Sequence, residues 1–166
     1  SRGLGDVYKR QFYGSPVGSQ SYRCSPHIVQ KYRSKISGPL LDRIDLHLHV
    51  TVVDPSELGD QWRGKSSATI RQRVTEAWRV QKQRFLDSST RSNAVMSRRE
   101  LENFATPSPA ALKLLEQAMQ QAQLSARAYD RILKVARTIA DLAGVETIDA
   151  PQLTEAVQYR LSLIHI

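Results

Sequence analysis

Cysteine appears once in the 166 residues, at Cys24. A single cysteine excludes an intramolecular disulfide and a zinc site built from cysteines alone. Long apolar runs are missing too. None approaches the roughly 18 residues of a membrane span, so no membrane partner is expected. The chain has no Gly-x-x-x-x-Gly-Lys-Ser/Thr stretch, hence no loop that cradles phosphate with backbone amides. HExxH and Gly-x-Ser-x-Gly are absent as well, which removes two common hydrolase sites. No self-sufficient active site is visible. Acidic residues are the scarcer charge, 16 against 24 Lys and Arg, and the net charge is +8. That basicity favours polyanionic partners, although cations also simply solvate a surface. With 40% hydrophobic residues a real core is possible. The composition describes a soluble, basic, intracellular (cytoplasmic) chain of one domain or two small ones.

The two ends read as translated sequencing adapter, not native protein. Leu161–Ile166 translates CTGTCTCTTATACACATC, and the reverse complement of that string reads Asp6–Gln11. The string is a transposon end used in preparing sequencing libraries, and Ser1–Gly5 reads as the adapter before it. Residues 1–11 and 161–166 are therefore set aside. Segment 1–11 carries +2 (Arg2, Lys9 and Arg10 against Asp6) and the tail none, leaving +6 on 12–160. The remainder reads as a fragment of a longer gene.

Residues 12–25 are rich in Gly, Ser and Pro and read as loop. Ser25-Pro26 offers an N-cap and a first-turn proline for a helix to about Ile36, with Ile28, Val29, Tyr32 and Ile36 inward. Ser37-Gly38-Pro39 stops it, and Leu40–Arg43 forms a turn or a single helical turn. Next, Ile44, Leu46, Leu48, Val50 and Val52 alternate with Asp45, His47, His49 and Thr51. This period of two predicts a strand with the apolar set facing a core. One strand cannot stand alone in water, so its partners must lie outside this stretch.

Asp54–Gly64 reads as linker, and only helices follow. Ser67 is expected to cap a long one over 67–86, with Ile70, Val74, Trp78 and Phe85 inward and Arg71, Arg73, Arg79, Lys82 and Arg84 on the remainder. Ser97-Arg98-Arg99-Glu100 is a capping box. Ser108-Pro109 opens another helix with Leu112, Leu115, Met119 and Ala122 inward. Ser125 opens a fourth, striped with Ile132, Leu133, Ala136, Ile139 and Ala140 and ended by Gly144. Asp149–Gln152 starts a last one carrying Leu153, Ala156 and Val157. The predicted class is mainly α: the tail of an α/β domain over 12–54, then an all-helical domain over 65–160.

Few residues could carry chemistry. His47 and His49 share one face of the predicted strand and could bind a metal, but no third ligand is in view; a solvated strand face explains them as well. His27 reads as a surface residue and Cys24 as a lone thiol. The cations of 67–86 could track a phosphate backbone or merely face water. Trp78 and Phe85 fall at core spacing, so they read as buried, not as stacking platforms. Arg43 follows a Gly-Pro break beside Asp42 and Asp45. A fixed arginine there can offer a planar fork to phosphate, or pair with either aspartate. Arg127 sits in the first turn of the helix opened by Ser125, where its charge opposes the helix dipole. A bound anion would relieve that, and plain exposure would cost little. The residues alone leave both questions open.

Ile36-Ser37-Gly38-Pro39-Leu40-Leu41-Asp42-Arg43-Ile44-Asp45-Leu46 resembles the signature of the magnesium-chelatase-like AAA+ ATPases, and within them the ComM/YifB branch. Leu124–Asp141, which begins Leu-Ser-Ala-Arg-Ala-Tyr-Asp-Arg, is similar to a second motif of that family. Phe12–Pro16 and Glu155–Arg160 also fit. The resemblance implies the end of an AAA+ core followed by a helical lid, in a hexameric ATPase ring that uses ATP and Mg2+. By that resemblance Arg43 is the arginine finger reaching the γ-phosphate of the neighbouring subunit, and Arg127 is the sensor-2 arginine of its own subunit's nucleotide. Walker A and Walker B would lie upstream, so this stretch alone is expected to be inactive. The branch further implies a bacterial DNA helicase that promotes branch migration during natural transformation. A chelatase-type subunit driving magnesium into a porphyrin is the alternative, and a non-enzymatic helical DNA-binding or interaction module is another. Some family members carry several cysteines near Cys24, which would imply zinc; Tyr22 stands where a second one would be.

Overall fold

A computed structural model describes residues 27, 40, 43–48 and 64–161. They divide between two compact units. His27, Leu40 and Arg43 fall in one; residues 44–48 and 64–161 fall in the other. The expected loop at 12–25 and the linker at 55–63 lie outside the described residues, as does most of the helix expected over 26–36. His27 is helical and exposed. The turn expected at Leu40–Arg43 is present, with the Arg43 N–H donating to the Leu40 carbonyl at 3.0 Å.

The second unit is helical. Helix α1 spans Ser67–Arg84, α2 Arg98–Phe104, α3 Pro109–Gln121, α4 Ala126–Ala143 and α5 Ala150–Leu161. A short 3-10 turn, Asn93–Val95, lies between α1 and α2. The starts are set by side chains that accept the otherwise unpaired first-turn amides. Ser108 Oγ accepts from the Ala111 N–H with Pro109 in the first turn, and Ser125 Oγ accepts from Ala128. At α2 the capping box is complete: Ser97 Oγ accepts from the Glu100 N–H, and the Glu100 carboxylate accepts from the Ser97 N–H. Gly144 ends α4 in the left-handed region, φ 68°, where a side chain is disfavoured. Helix α1 begins one residue earlier than Ser67 would set it, because Ser66 Oγ takes the Thr69 N–H at 3.2 Å.

Helix α4 is the centre of the unit and packs on α5, α1, α2 and the 3-10 turn. Its buried stripe includes Ala128, Ile132, Leu133, Ala136 and Ala140, and the last four share one core with Leu153, Ala156 and Val157 of α5. Alanine at these positions lets helix backbones approach closely, while Leu115, Ile132, Ile148 and Leu153 are fully buried and contribute roughly 1.5–3 kcal/mol each. Phe85 and Phe104 meet edge to face, with centroids 5.7 Å apart and planes at 88°. Pro107 and Ile148 form a parallel bridge joining the two interhelical links.

The interior also holds charge. Asp141 and Arg137 of α4 are 3% and 4% exposed and lie among Arg84, Gln81 and Asn93. Asn93 donates from Nδ2 to Asp141 at 2.7 Å, and its N–H donates to Gln81 Oε1 at 2.9 Å. Arg137 donates to Asp141 and to the carbonyls of Val145 and Glu146. Burial pushes the Arg137 guanidinium below its ordinary range, with Asp141 pulling the other way. The network fastens the end of α1 and the 3-10 turn to the end of α4.

Two expectations fail. Ile70, Val74 and Trp78 are 49%, 41% and 48% exposed, and α1 instead buries Ala77 and Gln81. Phe85 alone of the expected stripe is buried. The face turned inward is the one whose polar groups complete the network around Asp141, so hydrogen bonding decided the rotation of the helix. Second, residues 44–48 form no strand, and the predicted sidedness is inverted. His47 is buried at 7%, while Ile44, Leu46 and Leu48 are exposed. This segment is held through polar groups on α5: the His47 N–H donates to the Tyr159 carbonyl at 2.9 Å, and Arg160 donates to the Ile44 carbonyl at 2.6 Å. Residues 49–53 of the predicted strand lie outside the described residues.

Candidate functional site

Arg127 occupies the first turn of α4, a turn with no acidic residue. It is exposed and forms no ion pair among the described residues. One and two turns on, Arg131 and Lys134 stand on the same face, since residues at these spacings are about 5–6 Å apart at Cβ. The three cations, with Asp45, Ala94 and Asp130, line a cleft of about 270 Å³. Lys134 donates to the Ala94 carbonyl at 3.1 Å. Partial burial, aided by the neighbouring Arg131, lowers its pKa from the ordinary lysine value. Arg98 donates to Asp130 at 2.7 Å. Arg131 is ion-paired with Asp45.

Such a cleft suits an anion with several oxygens. Guanidinium and ammonium groups converge on it, and the amide end of α4 adds to their field. Among the described residues no group of three or more His, Cys, Asp and Glu could hold a metal ion. His47 contributes its Nδ1 to a 3.4 Å contact with the Arg160 carbonyl, and its presumed strand partner His49 lies outside the described residues, as do Cys24 and Tyr22. Arg43 is exposed on its turn in the first unit; Arg127 belongs to the second.

A larger cleft of about 520 Å³ opens beside the Asp141 network and is lined by Arg79, Arg84, Arg137 and Glu146, among others. Its cations are already engaged: Arg79 with Glu76, Arg84 and Arg137 with Asp141. Arg131, Lys134 and Asp45 were not singled out as site residues from sequence. The signal was there for the first two, which follow Arg127 at four and seven residues along one helix. Asp45 carries no such signal, because its place beside Arg131 is tertiary.

A family model described as magnesium chelatase, subunit ChlI C-terminal, matches residues 64–160. One described as magnesium chelatase, subunit ChlI, matches residues 14–58. The chain thus belongs to the magnesium-chelatase-like AAA+ family. Its similarities fall in the ComM/YifB branch. It is 39% identical over 152 residues to competence protein ComM of Haemophilus influenzae, across 88% of this chain and 29% of that protein. It is 37% identical over 159 residues to protein YifB of Salmonella typhimurium, across 92% of this chain and 31% of that one. The match to YifB of Escherichia coli is also 37% identical over 159 residues. The chain spans under a third of the length of these relatives. Among the described residues no helix is long and apolar enough to cross a membrane.

Proposed function

We propose that this chain supplies two phosphate-directed arginines to an AAA+ ATPase that assembles as a hexameric ring and moves DNA. Residues 12–54 end the ATPase core, 55–64 link, and 65–160 form the lid. Arg127 is sensor 2 and binds the phosphates of ATP from the lid. Arg43 is the finger that reaches a neighbour's γ-phosphate, where a fixed guanidinium stabilises the charge spread over the transferring group; such fingers give about 10³–10⁵ in rate. The observation that carries this is the Arg127 cleft, a basic patch on a helix amino terminus with an anion's worth of donors. Mg2+ would accompany the bound ATP. ATP supplies the transferable phosphoryl group; this chain's part is to orient and neutralise it.

DNA is the proposed substrate because a relative is named a competence protein and the chain is basic. The action is ATP-driven branch migration during transformation. The family descriptions favour a second reading, an ATPase subunit for inserting magnesium into a porphyrin. Forked DNA with ATP separates them: a complete ATPase bearing these residues should move the branch, and an inert one would support the chelatase reading. In the same protein Arg43→Ala should nearly abolish ATP turnover while nucleotide still binds. Normal turnover in that variant would remove the finger assignment, and binding of forked DNA with neither ATP turnover nor branch movement would leave only a DNA-binding module.

A further inference from the structure

Asp45 has the wrong sign for the cleft it lines. Of the two aspartates there, Asp130 belongs to α4 itself and is engaged by Arg98. Asp45 arrives from the separate segment that directly follows Arg43 and lands on Arg131. The Arg131 and Asp45 side chains are 29% and 45% exposed, so water and an incoming anion can both reach them. The segment is also tethered by Arg160 on the Ile44 carbonyl and by the His47 N–H on the Tyr159 carbonyl.

We infer that Asp45 is a built-in competitor for the phosphate of the nucleotide. Without phosphate, its carboxylate neutralises Arg131 and holds residues 44–48 against the helical unit. A phosphate bound beside Arg127 meets that carboxylate across one patch and is repelled until the Asp45–Arg131 pair opens. Opening gives Arg131 to the phosphate and loosens the stretch that begins immediately after the finger. Because the two anions share one set of cations, removing the Asp45 carboxylate strengthens phosphate binding, and bound phosphate weakens the pair to the same degree. Nucleotide on the lid and freedom of the finger segment become one equilibrium. This rests on Arg127 being a phosphate contact.

The test uses the full chain and inorganic tripolyphosphate as probe. Affinity is read by calorimetry, and the state of the segment by hydrogen exchange at the His47 amide. The wild type should bind, with faster His47 exchange on binding. Asp45→Asn should bind about tenfold tighter, as expected for removing a like charge from a partly screened site, and should exchange quickly before any tripolyphosphate is added. Arg131→Gln should also free His47 but bind more weakly. A merely structural Asp45 would change exchange and leave affinity alone. Unchanged or weaker binding by Asp45→Asn, with binding still lost in Arg127→Ala, overturns the competitor role and leaves the Arg127 reading intact. If wild type fails to bind, or Arg127→Ala binds equally well, the phosphate reading falls and takes the competitor with it.

Discussion

Arg84 of α1 meets Asp141 of α4 fork to fork, with Nη1–Oδ2 at 2.7 Å and Nη2–Oδ1 at 2.6 Å. The aspartate side chain is wholly buried and the arginine nearly so. Removing one partner of such a pair strands the other in a medium that cannot solvate it. Asp141→Ala strands two guanidinium groups, those of Arg84 and Arg137, and should cost about 3–5 kcal/mol in urea unfolding. Glu76→Ala breaks the exposed pair with Arg79 and should leave the midpoint unchanged. Equal effects would show that Asp141 is not the structural centre of the network.

Acid should weaken the helical unit through Glu100. Hydrogen bonds from Ser88, from the Ser97 backbone and hydroxyl, and from Thr90 hold its carboxyl at about 2, below the roughly 4.3 of an unfolded chain. The folded form binds its proton less readily. Its stabilising contribution is therefore complete above the unfolded value and disappears as pH falls from about 5 towards 2. Glu100→Gln should flatten the stability curve in that window; an unaltered curve would assign the acid loss to other carboxylates.

Gly144 tests the end of α4. A Cβ added there meets nothing within 4 Å, yet φ is 68°, so only conformational strain is at issue. Gly144→Ala should cost roughly 1–2 kcal/mol, and Gly144→Asn should cost less, because asparagine tolerates this region. Thermal unfolding of both variants checks the order.

In a complete ATPase bearing these residues, Arg127→Ala should raise the ATP concentration needed for half-maximal turnover. Arg127→Lys should recover part of the loss, since an ammonium keeps the charge but not the fork. Unchanged kinetics would make Arg127 an ordinary surface residue.

The helix starts were legible because each depends on a hydroxyl within three residues of the amides it satisfies, as at Ser97, Ser108 and Ser125. The α4 stripe and Gly144 were legible for the same local reason. Periodicity failed at α1, where two faces could have turned inward and the apolar one did not. Arg137 and Asp141 fall four apart within the buried arc of α4, a polar pair among apolar positions that marks a buried network; the partners Arg84 and Asn93 come from elsewhere and leave no such trace. Alternation failed at 44–48 because the segment is fixed by its backbone and by Arg160, to which side-chain period is blind. Of the site, Arg127 was visible through its motif, and the counter-ion shared by its neighbour was not.

Helix α1 is anchored from Ala77 onward, and its earlier side chains are exposed. It behaves as a cantilever, clamped where Gln81 and Arg84 enter the interior. The tip frays first, since its backbone bonds have little packing to protect them. Brief trypsin digestion should therefore nick the chain after Arg71 or Arg73 well before it reaches Arg137 or Arg160.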